Sequence, residues 1–165
     1  VAAGHRWDGS KYDGVVVRYL NNGSLDTSFG NNGIVITSIG GGYTQYYDVA
    51  VQSTGKIVAA GSLLQGYSDF VVVRYLQDGS LDTTFGANGV VTTGIGSSHD
   101  YGNAMALQGD DKIVVAGSTV NGSNSDFAVV RYTSSGLADS TFDGERFKFL
   151  SFNKMLFCIK VVAIK

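Results

Sequence analysis

Proline is absent from this 165-residue sequence, cysteine occurs once, glutamate occurs once, and charged residues make up only 16% of it. The lone cysteine excludes a disulfide framework and any cysteine-based zinc site. Hydrophobic residues at 44% beside so little charge exclude a disordered or solvated tail. No run approaches the ~20 apolar residues that span a bilayer. The opening VAAGHRWDGS has neither a basic nor an apolar leader region, so no signal peptide is read there. A net charge of −2 with scattered basic residues leaves no footprint for nucleic acid. No stretch carries a capped helical period, so helix is expected to be close to absent. What is present is glycine, 23 residues of it, with nine Tyr and nine Phe. The length suits one domain, which buries about 70% of its unfolded surface.

The chain repeats itself. DGVVVRYL at 13–20 returns as DFVVVRYL at 69–76 and as DFAVVRYT at 126–133. NGSLDTSFGNNG returns as DGSLDTTFGANG and then as SGLADSTFDG, and VAAG at 1–4 returns at 58–61 and as VVAG at 114–117. Arg18, Arg74 and Arg131 step by 56 and 57 residues, and Phe29, Phe85 and Phe142 keep the same steps. Each unit reads as four short strands, A to D, at 47–52, 56–62, 69–76 and 89–94 in the second unit. KIVAAGS and FVVVRYL are β-branched and almost continuously apolar, which suits strands covered on both faces. The STG and GDD links and the DG and NG dipeptides supply turn chemistry.

Four antiparallel strands per unit, each unit covered by its neighbours, predict an all-β fold: a partial β-propeller of about three blades with a period of 56–57 residues. A β-sandwich or an open β-solenoid is the alternative. Residues 1–44 are expected to form a partial blade with strands B, C and D, 45–96 a complete blade, and 97–150 a third with a divergent last strand. The series DFVVVRYLQDGSLDTTFGANGVVTT followed by NAMALQGDDKIVVAGS resembles the delta-60 repeat across residues 1–144. TGKI at 54–57 and DDKI at 110–113 stand where that family usually has DGKI. The resemblance implies a bacterial propeller in an exported or surface protein, and no particular chemistry.

Residues 145–165 leave the pattern: they hold no glycine, five of the twelve basic residues, four of the nine Phe and Cys158. Two readings stand for them. In one, 147–150 replaces strand D, 158–164 adds a strand, and 151–165 is a divergent tail; in the other, the segment follows a shifted reading frame or a truncated gene. Fewer than three full blades do not close a ring, which needs about four or more. Further blades are therefore expected in the same chain or in another, and a fragment of a longer protein is favoured over assembly of copies.

Arg18, Arg74 and Arg131 with Asp26, Asp82 and Asp139 read as a charge-assisted tie in every blade, and Phe29, Phe85 and Phe142 as packing aromatics. Asp13, Asp69 and Asp126 are expected to cap the start of strand C. Residues that break the repeat are the functional candidates. The B–C and D–A links share one face and differ between units, which gathers Trp7, Tyr12, Tyr43, Tyr46, Tyr67, His99 and Tyr101 there as a candidate binding surface. Neutral drift of loops is the competing explanation. His5 and His99 occupy unrelated repeat positions, and no GxSxG elbow occurs. The glycine-rich GIGSSHDYG at 94–102 precedes no helix, and NGSNSD at 121–126 is only loosely like an oxygen-rich cation loop. No catalytic residue, metal or cofactor is therefore assigned. The expected function is a non-catalytic module of an exported or surface protein that binds a protein or glycan, with no membrane span. The alternatives are part of a propeller hydrolase or lyase completed by other blades, and a purely structural spacer.

Overall fold

The computed structural model describes residues 1–142 and the strand at 147–150. Eleven strands form three antiparallel sheets in which each strand pairs with its neighbours in sequence. The first sheet holds β1 (Ala2–Trp7), β2 (Tyr12–Val17) and β3 (Ile34–Thr37). The second holds β4 (Tyr43–Val51), β5 (Ile57–Gln65), β6 (Tyr67–Tyr75) and β7 (Val90–Thr93). The third holds β8 (Asp100–Leu107), β9 (Ile113–Asn121), β10 (Asn124–Tyr132) and β11 (Phe147–Leu150). No described helix is long and apolar enough to cross a membrane. These sheets are the blades of a partial propeller.

The middle sheet shows why its sequence is apolar without alternation. From β5 and β6, Ile57, Ala59, Leu63, Val71, Val73 and Tyr75 pack toward the first sheet, with Val16 and Phe29. Val58, Ala60, Phe70 and Val72 point the other way and join Met105, Val115, Ala128 and Val130 of the third sheet. Both faces of the pleat are core, so both parities must be apolar. The sheets meet most closely at β4, which touches β1 and β2, and at β8, which touches β4, β5 and β6. β4 and β8 are thus the inner strands, and the four-residue β3 and β7 lie at the outer edge.

Strand bounds differ from the sequence reading. The boundary expected at 44/45 cuts through β4, which begins at Tyr43, so the first blade ends before that residue. β4 starts four residues early because its first half pairs with the end of β5, Tyr43 opposite Leu64. β6 likewise begins at Tyr67, joined to β5 through Gly66 at φ 89°. Asp13, Asp69 and Asp126 therefore sit inside strands rather than capping them. The strand expected at 158–164 and the tail 151–165 lie outside the described residues.

The long connection from strand C to strand D is ordered by its own backbone. Asp82 N–H donates to the Arg74 carbonyl, Phe85 N–H to Asp82 and Leu76 N–H to Ser80, and the first sheet repeats the same three bonds from Asp26, Phe29 and Leu20. Successive connections also bind each other: Gly30 N–H reaches the Asp78 carbonyl at 2.8 Å, and Gly86 N–H reaches Ser135 at 3.1 Å. Gly79 shows why the turn keeps glycine. Its φ is 90°, and a Cβ there would meet Gly30 N at 2.9 Å and the Phe29 ring at 3.0 Å.

Candidate functional site

The repeated polar residues are used up within the links. Arg18, Arg74 and Arg131 each donate Nε–H to Oδ2 of Asp26, Asp82 and Asp139, at 2.8, 2.8 and 2.9 Å. Each guanidinium lies over its ring, Phe29, Phe85 or Phe142, 4.5–4.7 Å from the centroid. The other carboxylate oxygen accepts the backbone N–H and the hydroxyl of Ser28, Thr84 or Thr141. Nη1 of Arg18 and Arg74 reaches the next blade, at the carbonyls of Gln77 and Ser134. One arginine thus fixes its own link, its aromatic and the neighbouring blade.

This wiring sets an acid dependence. Burial works to raise the Asp82 carboxyl, yet Lys56, Thr84 and Arg74 together hold it well below the usual range. Thr141, Lys112 and Arg131 do the same for Asp139, and Ser28 and Arg18 lower Asp26. A carboxyl held lower in the fold than in the unfolded chain stabilises the protein above about pH 4 and loses that contribution as pH falls toward its folded value. The melting temperature is therefore expected to decline on acidification from pH 5 to pH 2, and Asp82→Asn to decline less steeply. Parallel curves for the two proteins would contradict this origin.

The aromatic candidates fall on strands more than on loops, and they form two groups. In the first, Tyr12 at the start of β2 meets Trp7 at the end of β1 edge to face, with centroids 5.1 Å apart. Tyr43 at the start of β4 approaches both, at 6.2 Å from Trp7 and 6.1 Å from Tyr12. His5 joins through Tyr12 at 5.0 Å and Tyr47 at 6.1 Å. In the second group His99 packs edge-on against Tyr67 at 5.4 Å and stacks on Tyr101 at 6.0 Å. Backbone Ser68 N–H donates to His99 Nδ1 at 3.1 Å, which fixes the ring and leaves Nε2 to carry the proton of the neutral form. Trp7, Tyr47 and Tyr67 are about half exposed, at 54%, 46% and 58%. Burial and the nearby Tyr101 both push the Tyr47 hydroxyl upward.

Tyr46 does not belong to this surface. It is 1% exposed, and its hydroxyl shares a buried chain with Tyr75 at 2.9 Å and, through it, Thr37 at 2.6 Å. Its ring fills the space left by Gly14, whose Cβ would come within 2.4 Å of it. At the corresponding places of the next junction stand Phe70 and Gly102, so a large ring and a glycine have changed strands. Tyr46 breaks the repeat for packing, and Tyr47, one residue on, carries the exposed ring. His5 and Tyr47 were missed by sequence reasoning. A tyrosine pair on one inner strand announces that a single member faces outward, and the bulge between Tyr46 and Asp48 helps decide which.

Asp8 holds the β1–β2 turn beside Trp7: backbone N–H groups of Lys11 and Ser10, then the Ser10 hydroxyl, lower its carboxyl to about 2. No three His, Cys, Asp or Glu side chains converge as metal ligands among the described residues.

No curated protein matches the chain. A family model described as a domain of unknown function (DUF5122) beta-propeller matches residues 1–29, 52–85 and 108–142. Each matched segment covers strands B and C of one blade and ends at or beside the phenylalanine under the arginine, so the match follows the three-fold wiring described above. The chain belongs to the DUF5122 β-propeller family, whose function is unknown.

Proposed function

We propose that the protein is a non-catalytic propeller module of the delta-60 type, part of an exported or surface bacterial protein, and that its aromatic face binds a glycan or protein partner. The observation that carries this reading is the continuous set of rings at His5, Trp7, Tyr12, Tyr43 and Tyr47, contributed by two blades, all exposed but the partly buried Tyr12. Exposed aromatic clusters on a rigid scaffold are costly to leave in water and bring large contact area at low entropic cost. Glycan suits the face well. Sugar rings present C–H faces to aromatic rings, and Gln45, which lies 3.3 Å from His5 Nε2, offers amide groups between them. The repeated arginines and aspartates are committed to the links, which supports a binding role over a catalytic one.

A glycan array followed by calorimetry tests this. The double substitution Trp7→Ala with Tyr43→Ala is expected to weaken binding at least 100-fold while leaving the melting temperature within a few degrees, because Trp7 is about half exposed and Tyr43 more than a third, and neither belongs to the buried core. Undiminished binding by the double variant would remove the site assignment. The absence of any saturable ligand on glycan or protein panels would remove the function.

A further inference from the structure

One junction between blades carries buried negative charge with no positive partner. An aspartate stands at the same place on the third strand of each unit: Asp13, Asp69 and Asp126. Asp13 lies opposite Arg6, and its carboxylate is met by Arg6 Nη2 at 3.4 Å, Lys11 Nζ at 3.8 Å and Ser38 Oγ at 2.5 Å. Asp126 lies opposite Thr119, and Thr119 lies opposite Asp100 on the inner strand, so the three residues form one row across β10, β9 and β8. The corresponding row of the second sheet is Asp69, Leu63 and Thr44. The third sheet has therefore exchanged a leucine for a hydroxyl and a threonine for a second carboxylate.

Asp100 is 0% exposed and Asp126 is 7% exposed, and Oδ1 of each is buried without a hydrogen-bond partner. No described lysine or arginine pairs with either. Asp126 lines a cavity of about 420 Å³ together with Gly96, Ser97, Thr119 and Asn121. Asp100 holds the rim of this cavity, its Oδ2 accepting Ile95 N–H at 2.6 Å and Gly96 N–H at 3.4 Å. Asp69, on the neighbouring sheet, is pushed upward by burial and by Asp100. A carboxylate buried beside a polar cavity without a countercharge is strongly unfavourable until a proton or a cation joins it. The side-chain donors that line the cavity are all oxygen, the Asp126 carboxylate, the Ser97 and Thr119 hydroxyls and the Asn121 amide, and such hard ligands select an alkaline-earth ion over zinc or copper. Irregular geometry is tolerated by calcium and poorly by magnesium, which demands near-ideal octahedral coordination.

We propose that the junction of the second and third blades binds a calcium ion, held by the Asp126 carboxylate with side-chain oxygens of Thr119 and Asn121 and backed by the buried carboxylate of Asp100. The site gives the NGSNSD segment a role: its first and last residues, Asn121 and Asp126, face one cavity across a tight turn. With one ligating carboxylate and a second behind it, the affinity falls in the weak range of extracellular modules, about 10⁻⁴–10⁻³ M. Melting of the full chain is followed in chelator and in calcium chloride, with magnesium chloride alongside. At 10 mM calcium the melting temperature is expected to rise by about 3–10 °C, and less in magnesium. Asp126→Asn removes one unpaired charge, so it is expected to melt no lower than the parent in chelator and to lose the calcium response. Thr119→Val keeps both carboxylates and weakens the response. Asp13→Asn keeps the full response, because its carboxylate is served by Arg6 and Lys11. An unchanged melting temperature in calcium overturns the proposal, as does a full response in Asp126→Asn or a response lost in Asp13→Asn.

Discussion

Asp82→Ala is expected to lower the stability by about 3 kcal/mol, read as a shift in the urea midpoint. Its Oδ2 accepts from Arg74 Nε and from Lys56 Nζ, both at 2.8 Å, and its Oδ1 accepts from the Thr84 hydroxyl at 2.6 Å. The Arg74 and Asp82 side chains are 6% and 3% exposed, so removing the carboxylate strands an arginine that water cannot easily reach. The loss spreads beyond the pair, since the same guanidinium lies over Phe85 and reaches the Ser134 carbonyl of the next blade. The first blade is the internal comparison: Arg18 and Asp26 are 21% and 18% exposed, so Asp26→Ala costs less than its counterpart. Equal small losses at both positions would show the pairs to be ordinary surface contacts.

Gly61→Ala is expected to cost about 3 kcal/mol, at the upper end for overfilling a core, whereas Gly4→Ala stays within about 0.5 kcal/mol. Both glycines end the same VAAG motif, so sequence gives no reason to separate them. Their surroundings do. A Cβ on Gly61 would sit 1.9 Å from the Gln45 carbonyl oxygen and 2.8 Å from Tyr46 Cα, both backbone atoms of a bulged inner strand. Gly117 is equally confined, 1.8 Å from the Tyr101 carbonyl, beside the bulge between Gly102 and Ala104. Gly4 has nothing within 4 Å. Backbone cannot turn aside as a rotamer can, so the strain must be taken up by the sheet. Thermal melts of the three alanine variants check this, and equal melting temperatures would contradict the close approach.

The repeat made the blades legible because each one solves the same packing problem with the same residues. Arg74, Asp82 and Phe85 recur in register, and that recurrence alone points to a tie in each link. What periodicity does not carry is parity after an irregularity. Tyr46 and Tyr47 differ only in which side of the pleat they face, and the bulge that follows Tyr46 belongs to the pairing with β5 rather than to local sequence. Deviation from the repeat is likewise ambiguous as a mark of function. Gly14 stands under the Tyr46 ring, whereas at the next junction the Phe70 ring lies over Gly117, and only the three-dimensional neighbour reveals which glycine makes room for which ring. The row of Asp100, Thr119 and Asp126 is spread over 27 residues of sequence and becomes one feature only when β8, β9 and β10 are placed in register.

Trp7 is the chain's single tryptophan and sits among the exposed rings, so its fluorescence reports on the proposed binding face alone. The most direct measurement is a titration with the ligand selected on the array, following Trp7 emission and its quenching by acrylamide beside calorimetry. The aromatic-face account predicts a saturable emission shift and protection from quencher, with the same midpoint as the heat signal. Binding that saturates by calorimetry while Trp7 emission and quenching stay unchanged would place the partner elsewhere and contradict it.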